Sequence, residues 1–349
     1  MKSIEGIKRN VENVRESALV DPRRCEVLSD ENLRWIDQAL NVFLAKWQNL
    51  PLDQKPQAVV FTDTSARPLA YLFKPLLHAL STRVSLPDPQ ISFVASHRDK
   101  DFIDVIWNHR LQKNEFIGAY VELHAQRLRT KILKVERRIA RRGTLTDVPE
   151  DHIDFTTELE RLQKDLKDVQ DKAEVLYASW QELLTRLRQI VERARRVQVD
   201  AKAIQVLVVD EQVFEGLTIK LLERAFEVVA QDVGRDVGVQ VQARFFTFWD
   251  DQADKASSDT EDFRKQLGDR YIVGCPKVVG GDFAFRINKD GSDAGARFTG
   301  VNKALTGVVA RRDTSVHLDD VQFIRQLFTE IGEKKAQSLS LLQQDYYKE

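Results

Sequence analysis

The sequence predicts an α/β protein: a mostly parallel sheet flanked by helices, interrupted by a long α-helical hairpin. Three observations carry this reading. Short runs of buried-strand character alternate with amphipathic helical stretches, the pattern of strands lying side by side under covering helices. From about 115 to 200, Gly and Pro nearly vanish while charges of both signs crowd in. The chain has 349 residues, of which 42% are apolar, enough for one large domain or two ordinary ones.

Taken in order, residues 1–50 read as helical. DENLRWIDQALNVFLAKW places Leu33, Ile36, Leu40, Phe43 and Leu44 on one face, with Ser29 or Asp30 as a start signal. After a proline-bearing turn, AVVFTD (58–63) is a buried strand. SARPLAYLFKPLLHALS follows as a helix with Pro68 in its first turn and Pro75 as a bend. ISFVAS (91–96) is a second strand, and DFIDVIWNHRL a helix. AYVELHAQRLRTKILKVERRIARR and the stretch from Phe155 to Arg196 are long helices separated by GTLTDVPED. On the second, Leu159, Leu162, Leu166, Val169, Ala173, Leu176, Trp180, Leu184 and Leu187 form an apolar seam. The seam suits an antiparallel hairpin, or a homo-oligomer built through the insertion.

The α/β pattern then resumes. IQVLVVD (204–210) is a strand, TIKLLERAFEVVAQDV a helix and VQVQARFFTF (239–248) an alternating strand. Strand fragments in a glycine-rich stretch from Tyr271 and a strand or turn pair near Val301 come next. VQFIRQLFTEIGEKKAQSLSLLQQ closes as a helix, with Asp319 and Asp320 near its start.

Bulk properties exclude several classes. The charged fraction is 31% and the net charge is −1, so polyanion binding must come from a local patch. The two cysteines, Cys25 and Cys275, read as free thiols of a reducing cytosol. MKSIEGIKRNVENVRES has no apolar core of a signal peptide. No run approaches the ~18 apolar residues of a membrane span. A cytoplasmic protein with no membrane partner is expected. Without C-x-x-C or H-E-x-x-H, and with six scattered histidines, no direct metal site is expected.

Two loops hold chemistry-bearing residues. VLVVDEQVFEGLT (206–218) ends a strand in Asp210 and Glu211, then turns through Gly216 toward a helix with Leu217 and Thr218 at its start. Carboxylates at a strand's carboxyl end suit the hydroxyls of a ribose. A helix N-terminus with a glycine turn suits a phosphate, and Thr218 can cap that helix. VVFTDTSARPLAYLF (59–73) repeats the strand–turn–helix arrangement with Asp63, Thr64, Ser65, Ala66 and Arg67 at the turn. An arginine there suits bidentate phosphate binding.

The first of these stretches, VLVVDEQVFEGLT, resembles the phosphoribosyl-diphosphate motif of type I phosphoribosyltransferases: a hydrophobic strand, two acids, four loop positions, then Gly-x-Thr. The D-x-S-A-R-P-L form at 63–69 looks like a divergent bacterial branch of phosphoribosyltransferase-like proteins. The likeness covers about 58–110 and 200–250. It implies phosphoribosyl diphosphate, or a related ribose phosphate, bound with Mg²⁺. Residues 63–67 would hold the diphosphate. Asp210 and Glu211 would orient the ribose as the catalytic pair, and Glu215, Gly216, Leu217 and Thr218 would anchor the 5′-phosphate. Phe214, Lys277 and Arg286 fall in the acceptor region. Two positions depart from the family pattern. Phe214 stands where enzymes acting on 6-oxopurines carry an aspartate. Glu215 stands where a small or hydroxylated residue is usual. The expected organisation is a helical segment (1–57), the first half of the core (58–114), the helical hairpin (115–200), the second half with a hood-like region (201–315) and a C-terminal helix (316–349). A phosphoribosyltransferase is one reading. A non-catalytic ribose-phosphate sensor or regulatory module is the other.

The stretch RLRTKILKVERRIARR is strongly basic, with Arg137, Arg138, Arg141 and Arg142 at its end. A nucleic-acid patch is one reading of it. The favoured one is a solvated face paired with the acid-rich segment after Phe155.

Overall fold

The parallel register of the first strand against its two neighbours sets the position of the other elements. The computed structural model describes residues 30–62, 66–94, 100–108, 112–142, 155–198, 201–213, 216–250, 264–275, 301–302, 311–312 and 318–346. In chain order the elements are α1 (Asp30–Asn49), β1 (Ala58–Thr62), α2 (Arg67–Arg83), β2 (Gln90–Val94), α3 (Lys100–Asn108), α4 (Lys113–Arg142), α5 (Phe155–Val197) and β3 (Ala203–Val213). There follow α6 (Leu217–Val237), β4 (Gln240–Asp250), β5 (Tyr271–Cys275), β6 (Val301–Asn302), β7 (Arg311–Arg312) and α7 (Leu318–Tyr346). Two compact units divide the chain: Met1–Ser96 with Leu183–Glu349, and His97–Glu182.

In the first unit, β1 to β5 form one sheet in the order β2-β1-β3-β4-β5, with every pairing parallel. This is one of the two common orders of doubly wound sheets. The chain steps outward from β1 to β2, returns past β1 to β3, and continues outward to β5. The reversal falls between β1 and β3. β6 and β7 form a separate two-residue antiparallel pair.

Parallel strands covered on both faces read as continuous apolar runs. β1 does so: all five of its residues are buried. One face packs against α1, α2 and α7. Val59, Phe61, Leu207, Val209, Phe246 and Phe248 meet Leu40, Phe43, Phe73, Leu76, Ile324 and Phe328 there. Phe73 is its hub, with ring centroids 4.8 Å from Phe43, 5.7 Å from Phe61, 6.1 Å from Phe246 and 5.8 Å from Phe248. The terminal helices therefore belong to the same core as the sheet, rather than forming segments of their own. Trp47, outside the expected apolar face of α1, is buried in it too. α6 packs along β4 through a second set of buried residues, Ile219, Leu222, Phe226, Val229 and Val233, spaced at three and four. No helix among the described residues is long and apolar enough to cross a membrane.

The helical unit, His97–Glu182, starts before and stops before the composition shift at 115–200. It starts early because α3 packs on α4, with Phe102 and Phe116 rings 5.6 Å apart. It stops early because Leu187, Ile190 and Ala194 of α5 are buried in the first unit. Within it, Phe116 lies 5.4 Å from Tyr177, and Lys172 lies over Tyr120. Contacts that climb α4 descend α5, so the two helices run antiparallel. Along α5, Leu183 is buried and Leu184 only half-buried. The expected seam is therefore corrected by one position after Trp180, where the run 180, 183, 187, 190 keeps helical spacing. The side chains of Leu159 and Leu166 and the linker GTLTDVPED lie outside the described residues, as does Ser29.

α2 and α7 meet at unusually close range. A Cβ on Gly332 would overlap the Leu72 carbonyl oxygen and come within 2.7 Å of Pro75 Cγ. Gly332→Ala is therefore expected to lower stability by about 1–3 kcal/mol, the cost of overpacking a filled site. Gly118→Ala, where an added Cβ meets nothing within 4 Å, is expected to stabilise by about 0.5–1 kcal/mol through helix propensity. Urea unfolding of both variants checks the pair; equal midpoints would contradict the close approach.

Candidate functional site

The carboxyl ends of β1, β3 and β4 bring buried polar side chains together. Phe61 pairs with Val209, and Asp210 with Thr247, so Thr62, Asp210 and Thr247 lie at one level of the sheet. The Thr62 hydroxyl donates to Asp210 Oδ1 at 2.5 Å, and the Glu211 N–H donates to the same oxygen at 2.9 Å. Asp210 is 4% exposed and Glu211 fully buried. Sequence patterning puts the two acids at the strand's tip. The structure corrects this: β3 continues to Val213, held to β4 by the pairs Gln212↔Trp249 and Val213↔Asp250. Its β1 partner stops at Phe61↔Val209. The acids thus lie beyond the β1 ladder but inside the β4 ladder. Successive strand residues point to opposite faces, so Asp210 and Glu211 leave the backbone on different sides.

Two helices begin at this end of the sheet, and neither has a capping side chain. Gly216 is the N-cap of α6, with φ 71° and ψ 7°, a left-handed conformation that glycine adopts without Cβ strain. Its carbonyl accepts the first helical bond, from Lys220 N–H at 2.9 Å. Thr218 is buried at the second helical position, not at the cap as sequence spacing suggests. Ala66 is the N-cap of α2, with Arg67 and Pro68 as the first two helical residues. Neither Ala66 nor Gly216 supplies a side-chain oxygen to the first-turn N–H groups. Arg67 is half-buried, its guanidinium 4.5 Å over the Phe93 ring of β2. Asp63, Thr64, Ser65, Phe214, Glu215, Lys277 and Arg286 lie outside the described residues.

Several residues here were not legible in the sequence. Asp250, at the end of β4, is fully buried between the Arg264 guanidinium and the Tyr271 hydroxyl, which donates at 2.9 Å. Burial first, then the Asp250 carboxylate, push the Tyr271 hydroxyl far above its ordinary value, and Asp210 adds to the effect. Tyr271 therefore stays a proton donor. Arg186 donates from Nε to the Phe93 carbonyl at 2.8 Å, so two guanidiniums attend the end of β2. None of these has a motif, because the fold gathers them from separate elements. Among the described residues no three His, Cys, Asp or Glu side chains are placed to hold a metal. Cys275 is a buried free thiol, pushed up to about 11 by burial, so it is no nucleophile at neutral pH.

The architecture defines a class: an α/β protein with a five-stranded all-parallel sheet flanked by helices, with buried polar side chains at the carboxyl ends of β1, β3 and β4. Compared with protein-family models, with curated proteins and with solved structures, the chain matches none.

Two outcomes test this geometry. Thr62→Val keeps the strand shape but leaves Asp210 without its hydroxyl donor. A loss of about 1–3 kcal/mol is expected, read by denaturant unfolding; Thr62→Ser, which restores the donor, should recover most of it. The second concerns Glu223 of α6, which accepts from Arg270 at 2.6 Å. Burial raises its pKa, outweighing the lowering by Arg270. A carboxyl with a raised folded pKa binds protons more tightly when folded. Its contribution to stability is therefore largest at low pH and falls as pH rises through that raised value. Relative to Glu223→Gln, the native chain should lose stability over the range above the ordinary glutamate value of about 4.3. A flat difference across that range in pH-dependent unfolding would contradict the burial.

Proposed function

We propose that the chain binds phosphoribosyl diphosphate with Mg²⁺ in the crevice between the carboxyl ends of β1 and β3. One observation carries the reading. Two helix N-termini without capping side chains, at Ala66 and Gly216, follow the two strands that flank the switch point. Ligands of open α/β sheets bind at such a point. The loops follow these strands in the order of the family that the sequence resembles, and that supports a phosphoribosyltransferase-like fold.

In this reading the amides at the start of α6 hold the 5′-phosphate, and Arg67 with the turn before α2 holds the diphosphate. Asp210 faces the ribose hydroxyls and offsets positive charge developing on the ring. Mg²⁺, held mainly by ligand oxygens and water, neutralises the diphosphate. As a transferase, the chain would break the bond from C1 to the diphosphate oxygen, which leaves with the electron pair. A nucleophilic acceptor would form the new bond at C1. A second reading, a non-catalytic sensor, is favoured by a specific feature. Asp210 Oδ1 is already engaged by Thr62 and by Glu211 N–H, and both acids are dry.

Thermal unfolding with phosphoribosyl diphosphate and Mg²⁺ tests the site. A ligand at about a hundredfold its Kd stabilises the native state by about 2.7 kcal/mol. The melting point should rise for the native chain and for Thr62→Val, each against its own baseline, but not for Asp210→Asn. No rise at about 1 mM ligand, or an equal rise in Asp210→Asn, would sink both readings. A rise together with diphosphate release when nucleobases are supplied selects the transferase; a rise without release across the panel selects the sensor.

A further inference from the structure

The amino end of the sheet gathers positive charge that no acid neutralises. Trp47 lies in the last turn of α1, and the chain runs on through a short turn at Leu52–Gln54 into β1. Lys55 is 5% exposed; its ammonium donates to the Trp47 carbonyl at 2.8 Å and lies 5.5 Å from the centre of the Trp47 ring. Arg244 of β4 is half-buried and donates to Gln54 Oε1 at 2.7 Å. The two cations are thus tied to neighbouring residues of one turn. Packing brings the Trp47 ring to the same place. Going down α1, Trp35 meets Trp249 and Phe43 meets Phe246, with centroids 6.4 Å and 5.5 Å apart. One helical turn past Phe43 is Trp47, and one same-face step before Phe246 is Arg244. Among the described residues neither cation has a carboxylate partner, and Asp53 on the same turn is exposed. Burial lowers the proton affinity of Lys55 and of Arg244, as it does for charge taken out of water without compensation. Two neutral groups are left over as well. The Trp47 indole N–H is buried and donates to nothing, and Gln205 Oε1 is buried and accepts from nothing. Gln205 alternates with Leu207 and Val209 of the core, so it stands on the same sheet face.

We propose that Lys55, Arg244 and the Trp47 indole hold a small protonated oxyanion, hydrogen phosphate, at the amino end of the sheet. The three side chains supply two positive charges and a neutral N–H, a donor set that the several oxygens of one oxyanion share. Buried charge without a partner is costly, and one bound anion relieves both cations together. The carbonyls ending α1 offset only part of it, since a helix end carries about half a charge. Gln205 supplies the specificity. Its spare acceptor suits the anion's own O–H, which hydrogen phosphate has and sulfate lacks near neutral pH. Trp47 and Gln205 are each 3% exposed, so the place admits a free ion rather than a lipid headgroup or a polyanionic chain. It lies at the opposite end of the strands from Asp210, and the inference is independent of the ribose-phosphate site.

Indole N–H resonances in proton–nitrogen NMR spectra of the full chain, followed through a titration with inorganic phosphate, test it. The Trp47 resonance, identified by its loss in Trp47→Phe, should move along a saturating curve. Sulfate at equal ionic strength should leave it in place; both ions stabilise proteins by exclusion from their surface, so sulfate controls for that effect. Arg244→Gln and Lys55→Met should each weaken the phosphate response about tenfold or more, while the other indole resonances keep their positions and report an intact fold. Arg244→Gln, at the half-buried rim, keeps the test decisive where Lys55→Met does not fold. Lys46→Gln, which removes an exposed charge from the same end of α1, should leave the response unchanged. No movement at about 10 mM phosphate, equal movement with sulfate, a response retained in Arg244→Gln, or an equal loss in Lys46→Gln would overturn the proposal.

Discussion

The structure depends on one register, that of β1 against β3. These strands are adjacent in the sheet yet far apart in sequence: the Thr62–Asp210 contact spans 148 residues. β1 is buried on both faces, so it has no apolar–polar alternation to choose its own alignment. A slip by one residue would exchange every side chain between faces. Polar contacts at both ends remove the ambiguity. At the carboxyl end Thr62 bonds Asp210. At the amino end Gln57 Oε1 accepts the Gln205 N–H at 2.5 Å, and Gln57 N–H donates to the Gln205 carbonyl at 2.9 Å. Gln205 then passes the row on to Gln242 of β4 at 3.1 Å. Each bond is worth only about 1 kcal/mol net. Their force is that any other register would break these bonds together and leave the buried Asp210 and Gln205 groups without them, at a cost of about 1–3 kcal/mol each.

The two ends of the sheet solve the same problem with different chemistry. The amino end uses neutral amides, which bond one another without charge. The carboxyl end uses carboxylates: Asp210, Glu211 and Asp250 all sit below 5% exposure. Burying ionised acids is costly unless they have donors: Asp210 has the Thr62 hydroxyl and the Glu211 N–H, and Asp250 has the Arg264 guanidinium and the Tyr271 hydroxyl. A fold needing only a register pin could use glutamine at both ends. Carboxylates at one end, beside two helix N-termini of positive dipole, are an asymmetry that a register pin alone does not require.

Much of the fold was legible because its signals are local. The strand runs AVVFT and VLVVD, the helix stop and start signals, and the Gly/Pro-poor stretch each declare themselves within a few residues. What failed to show was non-local. Nothing in VLVVDEQV marks where β3 ends, because that is decided by β4 running alongside to Asp250. The inward turn of Leu183 instead of Leu184 depends on what the end of α5 packs against. Asp250, Arg264 and Tyr271 come from three places and share no spacing. Thr218 looked like a cap because threonine caps well, but Gly216 had already taken the left-handed turn that begins the helix.

The tension between pin and ligand group in Asp210 has a physical resolution. A carboxylate that is to meet a ribose must be held still, because disorder in its rotamer would be lost again on binding. Groups that hold it from behind, as Thr62 and the Glu211 N–H do at Oδ1, are what preorganisation consists of. Such support and a register pin are therefore the same contact seen from two sides. The placement also explains why the acids lie past the last β1 pair. Inside the β1–β3 ladder Asp210 would be walled in by strands on both sides and would serve the fold alone. One step beyond it, the carboxylate stays tethered to β1 through Thr62 while β3, still supported by β4, carries it past the end of the β1–β3 ladder.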